Sequence, residues 1–145
     1  MHETTWLKWG TLALAGAAAL LLVVVAFNTS DDIEGRTWVA EEIAIDGSLT
    51  PLVANTVVTA AFEDGSVSGI ASCNNYFGGY EVDGDAITFG ALGSTLMACE
   101  PAVMDQEQAY LAALAAADRF AVDGSTMTLY AGDTALVEYA EADTD

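Results

Sequence analysis

The stretch Ser68 to Pro101, SGIASCNNYFGGYEVDGDAITFGALGSTLMACEP, holds both cysteines of the chain and its densest run of turn-forming residues. Val67 to Cys73 reads as a strand carrying Gly69, and Tyr80 to Val82 with Ala86 to Phe89 flank Asp83-Gly84. An Asp-Gly pair between alternating apolar and polar runs is a strong hairpin signal, because a type I′ turn needs positive φ at both central residues. The same pair recurs on either side. Thr37 to Ile45 precedes Asp46-Gly47, Thr56 to Phe62 precedes Asp64-Gly65, and Arg119 to Val122 precedes Asp123-Gly124. The four pairs divide the chain beyond residue 36 into an antiparallel meander, completed by Met127 to Tyr130 and Leu136 to Tyr139.

One segment breaks this pattern. Pro101 to Ala117, PAVMDQEQAYLAALAAA, opens with a proline suited to a first helical turn. It carries early acids Asp105 and Glu107 and places Val103, Met104, Tyr110, Leu111 and Leu114 at helical spacing. The spacing predicts one amphipathic helix whose alanines allow close approach to a sheet.

Upstream lies a different kind of sequence. Gly10 to Phe27, GTLALAGAAALLLVVVAF, is 18 residues without a charge, which as a helix spans about 27 Å and just crosses a hydrocarbon core. A cleaved secretory signal is the competing reading, with Val24 and Ala26 as the small-residue pair, but the apolar run is longer than such signals carry and an uncleaved anchor is preferred. Lys8 on the amino-terminal side places that end in the cytoplasm and the remainder of the chain outside it. The expected organisation is a cytoplasmic segment at 1–9, a transmembrane anchor at 10–29, a polar linker at 30–35, a folded domain at 36–140 and an acidic tail at 141–145.

Charge limits the partners. With 22 acidic residues against Lys8, Arg36 and Arg119, the formal net charge is −19. Such a surface repels a phosphate backbone, so nucleic acid is excluded, as is an anionic headgroup surface. The acids are spread through apolar sequence, as in a folded acidic domain, and they also suit concentrated salt, where screening suppresses self-repulsion.

At this point the residues carry a resemblance. Gly69, Cys73-Asn74 with Tyr76, Gly78 and Tyr80, then Thr95, Met97, Cys99 and a helix with Glu107, resemble the META domain, or HslJ-like heat-shock, family. Ile33 to Trp38 is similar to its opening tryptophan strand and Met127 to Leu129 to a late strand, so the resemblance runs from about Ile33 to Tyr139. Ser72 stands where the family usually has glycine. The resemblance implies a mainly β fold, a small, partly open antiparallel barrel or curved meander sheet packed on one helix. It further implies an exported or envelope protein, in some members linked to stress phenotypes, with no established enzymatic activity.

The cysteines follow from the topology. Outside the cytoplasm a pair is expected to be oxidised, so a Cys73–Cys99 disulfide tying a hairpin end to the helix start is preferred over two buried thiols. A thiol-redox protein using Cys73 and Cys99 is the sharper alternative, but a reactive thiol needs a nearby cation or a CxxC partner, and neither occurs locally. Asn74, Asn75, Tyr76, Phe77 and Tyr80 form a candidate contact loop, in which Asn74-Asn75 and Gly78-Gly79 are otherwise plain turn chemistry. Thr95 and Met97 read as packing residues, and Glu107 as a side chain that caps or pairs with a backbone group.

Other chemistry finds no footing. The only histidine is His2, so the domain can build neither a histidine zinc site nor a His-based triad. Asp83-Gly84-Asp85 lacks the ligand spacing of an EF-hand. No cofactor and no catalysis are expected. The expected role is a membrane-anchored, externally facing module that binds an envelope protein, a peptide or a small apolar ligand between sheet and helix, or else stabilises the envelope mechanically.

Overall fold

The computed structural model describes residues 28–143. The apolar run at 10–27 expected to anchor the chain, and the segment before it, lie outside the described residues. Among the described residues no helix is long and apolar enough to cross a membrane.

Ten strands follow one another: β1 (Thr37–Ile45), β2 (Ser48–Pro51), β3 (Thr59–Glu63), β4 (Ser66–Ile70), β5 (Asn75–Asp83), β6 (Ala86–Phe89), β7 (Gly93–Ser94), then helix α1 (Pro101–Ala116), β8 (Arg119–Asp123), β9 (Thr126–Ala131) and β10 (Thr134–Glu141). Along the sheet the order is β10-β9-β8-β6-β5-β4-β3-β1, and β1 pairs back onto β10. The sheet is therefore a closed barrel of eight antiparallel strands with one helix, not the partly open sheet the sequence suggested. β2 extends from the second half of β1, and β7 adds to the start of β5.

The Asp-Gly pairs do turn the chain, in two ways. Asp46-Gly47 and Asp64-Gly65 have positive φ at both residues (53° and 83°, 49° and 81°), as type I′ requires. In the other two hairpins Asp83 and Asp123 are the last strand residues, and only Gly84 and Gly124 enter the left-handed region.

Alternation fills the interior. Bulges between Ala40 and Glu42 in β1, and between Ala135 and Val137 in β10, shift the inward register by one residue. Trp38 and Ala40 thus share the core with Ile43, while Val137 and Tyr139 alternate inward beyond the second bulge. Phe62, Val67, Tyr76, Ile87, Phe120, Met127 and Leu129 complete one continuous core.

Both barrel ends are closed. Helix α1 lies across the end where β1, β4 and β9 finish, inserting Tyr110 and Leu114, both fully buried. At the other end a 3-10 turn, Ser30–Asp32, leads into Ile33, which is 0% exposed and accepts the indole N–H of Trp38 at 3.1 Å. Asn28 donates to the Phe120 carbonyl at 2.9 Å. Residues 30–35, read as a linker, are thus part of the folded body.

Gly78-Gly79 is not a turn, since both lie inside β5. Gly69 in β4 is required by close approach: a Cβ there would lie 2.1 Å from the Thr59 carbonyl oxygen.

Candidate functional site

The helix that closes the barrel buries polar groups where its sequence suggested an apolar stripe. Its inward face is Gln106, Glu107, Tyr110, Ala113 and Leu114, while Val103 and Met104 sit half-exposed on its flank. Gln106 accepts the Val53 N–H at 2.7 Å and donates to Thr56 Oγ1 at 2.9 Å and Ser72 Oγ at 2.8 Å. It thereby ties the β2–β3 connection to the β4–β5 turn.

Ser72, at φ 89°, occupies a left-handed conformation that glycine adopts without strain. This explains why glycine is usual at this place in the family the sequence resembles. Here the Gln106 bond engages the serine hydroxyl instead.

Glu107 organises the next two residues. One carboxylate oxygen accepts the N–H groups of Cys73 (3.1 Å) and Asn74 (2.7 Å), and the other accepts the Asn74 amide at 2.7 Å. Asn74, itself 2% exposed, passes the connection on. Its amide donates to the Met97 carbonyl at 3.1 Å, and its oxygen accepts the Met97 N–H at 2.6 Å and the Thr95 hydroxyl at 2.9 Å. Thr95 Oγ1 accepts the Asn75 N–H, and the Thr95 N–H donates to the Asn75 carbonyl.

The segment 95–100 between β7 and α1 is thus a strap without regular structure of its own, held by one buried asparagine. Cys73 and Cys99 are joined in a disulfide with Cα atoms 6.1 Å apart, fastening the far end of the strap to the same turn. Closing a loop of 26 residues stabilises the fold by about 3 kcal/mol in the chain-entropy picture. Reduction is accordingly expected to lower stability by that amount, read as a shift of the urea midpoint with and without reductant. An unchanged midpoint would show that Asn74 alone holds the strap.

The predicted contact residues divide between two faces. Asn74, Tyr76 and Tyr80 are buried, whereas Asn75 and Phe77 point out from β5, so this is a strand and not a loop. Met97, read as a packing residue, is 56% exposed, and Leu96 beside it is 94% exposed. Phe77 and Ile70 share the outer face of β4 and β5. Leu96 carried no signal in the sequence, because its exposure follows from the anchoring of its neighbours and not from any periodicity.

Inside, three phenols form a chain. Tyr76 donates to the Thr59 carbonyl at 2.7 Å, so Tyr110 must donate to Tyr76 (2.7 Å) and Tyr139 to Tyr110 (2.8 Å). Burial pushes all three well above the ordinary tyrosine range. Tyr80 is raised too, by burial and by the Glu34 carboxylate, which accepts its hydroxyl at 2.5 Å. No group of three metal-ligating side chains occurs among the described residues.

A closed eight-stranded antiparallel barrel, stoppered by one helix and strapped by a disulfide, defines a small barrel domain with a rigid exposed edge. The META domain family model matches residues 31–144, and the chain belongs to that family. Among solved structures it is similar to a protein from Burkholderia xenovorans determined by NMR. The two share 26% identity over 81% of this chain and 90% of that one, with a TM-score of 0.67. A second NMR structure, at 18% identity over 78% of this chain and 94% of the other, shows the same fold with a TM-score of 0.62. Comparison with curated proteins gives no match.

Proposed function

We propose that this protein is a membrane-tethered, externally facing recognition module without catalytic activity, and that it binds through the strap end of its barrel. One observation carries the reading. Leu96 and Met97 are held in water at 94% and 56% exposure by a strap that a disulfide and four hydrogen bonds to Asn74 and Thr95 keep in place. Apolar side chains fixed in solvent make a patch of the kind that marks interaction sites.

The disulfide supports an oxidising location, and the uncharged run at 10–27 supplies the tether. The partner class is an envelope protein, a peptide or a small apolar ligand. The closed and filled core favours recognition on the flank of the helix over recognition inside the barrel. The role proposed for it there is an accessory one in envelope stress.

A thiol-redox role is the second reading, favoured by the exposure of Cys99. Two measurements separate the readings. Intact mass of the protein from its own membrane fraction should give the full-length chain two hydrogens light, with thiols alkylated only after reduction. Freely alkylated thiols would favour the redox role, and a mass beginning near Phe27 would mean a released domain. A photo-crosslinking residue placed at Leu96 in living cells should capture a discrete partner that the same residue at exposed Thr88 does not. Equal capture at both positions would remove the strap as the binding face.

A further inference from the structure

The strap and α1 enclose a groove of about 430 Å³ between them, walled by Leu96, Met97, Met104 and Leu111, with Asn74 and Glu107 as its floor. Its floor is what sets it apart. The Glu107 carboxylate is 4% exposed, and its three bonds all come from neutral N–H groups. No ion pair to it occurs among the described residues, whose one salt bridge, Arg36–Glu141, lies at the opposite end of the barrel. A carboxylate accepts about four hydrogen bonds, and the oxygen turned toward Asn74 Nδ2 accepts only one here.

A larger depression at the other end is lined by Asp31, Glu34, Glu63 and Asp64 around Arg36. Its charges are solvated, and it has no apolar wall comparable to the methionines.

We propose that the groove is a binding site for a small primary amine carried on an apolar body, such as an aryl- or alkyl-substituted ammonium ion. The inference rests on the recognition role assigned to the strap end and names its ligand. Charge complementarity selects the head group. A carboxylate withdrawn from water and faced only by dipoles attracts a cation strongly, and an ammonium that sheds water on entering replaces those hydrogen bonds with a charge-assisted one to the carboxylate. A chain of net charge −19 concentrates cations and repels anions.

Packing selects the body. Two methionines and two leucines present apolar surface, of which Leu96 is nearly fully exposed, and methionine adapts its shape to what it covers. The size falls within the range of about 300–1,000 Å³ typical of small-molecule sites, too small for a folded partner to enter. Because the ammonium reaches Glu107 past Met97 and Met104, both head group and body are needed.

The test uses the full-length chain in nanodiscs of neutral lipid, with methionine labelled at its methyl carbon. Of the four methionines, Met97 and Met104 line the groove while Met127 is buried in the core and serves as the internal control. Titration with 4-phenylbutylamine should shift the Met97 and Met104 signals saturably and leave Met127 in place. The neutral 4-phenylbutanol should bind about tenfold more weakly, the ratio expected for one charge-assisted hydrogen bond, and 4-phenylbutyrate should not bind.

Glu107→Gln should abolish the preference for amine over alcohol, with an unchanged Met127 signal reporting an intact core. Leu96→Ser, at a position too exposed to affect folding, should weaken both ligands and keep their ratio. Equal affinity for amine and alcohol, or an amine that leaves Met97 and Met104 unmoved, overturns the proposal. A partner crosslinked at Leu96 without amine selectivity sinks this inference alone, whereas equal capture at Leu96 and Thr88 sinks the recognition role beneath it.

Discussion

Above pH 10 the protein is expected to lose stability steeply and to unfold near pH 12. Tyr76, Tyr110 and Tyr139 are buried and joined hydroxyl to hydroxyl, and burial raises each of them. In the native state they keep their protons, while in the unfolded chain they release them near pH 10. The unfolded state then binds fewer protons than the native one, so stability is intact below pH 10 and falls as pH rises. Each residue contributes about 1.4 kcal/mol per pH unit, so the three together contribute about 4. Against a total of about 5–15 kcal/mol for a domain of this size, about one to four units suffice.

Two signals recorded together check this. Phenolate absorbance from the buried tyrosines should appear in one cooperative step that coincides with loss of the β circular-dichroism signal. A smooth tyrosine titration centred near pH 10, with the β signal intact, would mean that the three phenols are reached by solvent in the folded protein.

The second large effect belongs to Glu107. Truncation to alanine should lower stability by about 3 to 5 kcal/mol, because three donors in the β4–β5 turn would be left unsatisfied at about 1–3 kcal/mol each. The donors are Cys73 N–H, Asn74 N–H and the Asn74 amide. Gln108→Ala, one residue along on the exposed side of the helix, should stay within about 0.5 kcal/mol. Asn74→Ala should be strongly non-additive with Glu107→Ala, since each removes the other's partner. Urea unfolding of the three variants and the double variant measures all of this. A Glu107→Ala loss below about 1 kcal/mol would show that water replaces the carboxylate.

Much of the fold was legible in the sequence, for local reasons. Asp46-Gly47 and Asp64-Gly65 specify their turns through backbone conformation alone, and the limits of β1, β6 and α1 follow from alternation and from Pro101. The parts that were not legible depend on distance or on a partner. Alternation in β1 marks a strand, but neither the bulge that brings Ile43 inward with Trp38 nor the pairing of Trp38 opposite Glu141 can be read from it, so closure of the barrel was out of reach.

Gly78-Gly79 looks like a turn when read alone, yet it lies in β5, where Ala91 and Leu92 come so close to Gly78 that a Cβ would not fit. Glu107 read as a side chain that pairs with a backbone group, and it accepts the N–H groups of Cys73 and Asn74; Gln106 carried no signal, since its burial makes sense only when the N–H of Val53 stands opposite it. The cysteine pair was legible. The display of Leu96 and Met97 was not, because it depends on the reach of Asn74.

Pairing of the first strand with the last has a consequence for how the molecule is made. β1 begins at Thr37, and the β10 residues that meet it run from Val137 to Glu141. A ribosome or translocation channel therefore releases nearly the whole domain before its first strand can acquire its second neighbour. Hairpins such as β3–β4 and β5–β6 can form as they emerge, whereas the ring waits for a contact of very high sequence separation, which slows folding. Until then β1 presents a free edge to whatever is nearby. Premature chain termination within β10 leaves a molecule with most of its core and an open flank, and such fragments are expected to be cleared or to aggregate.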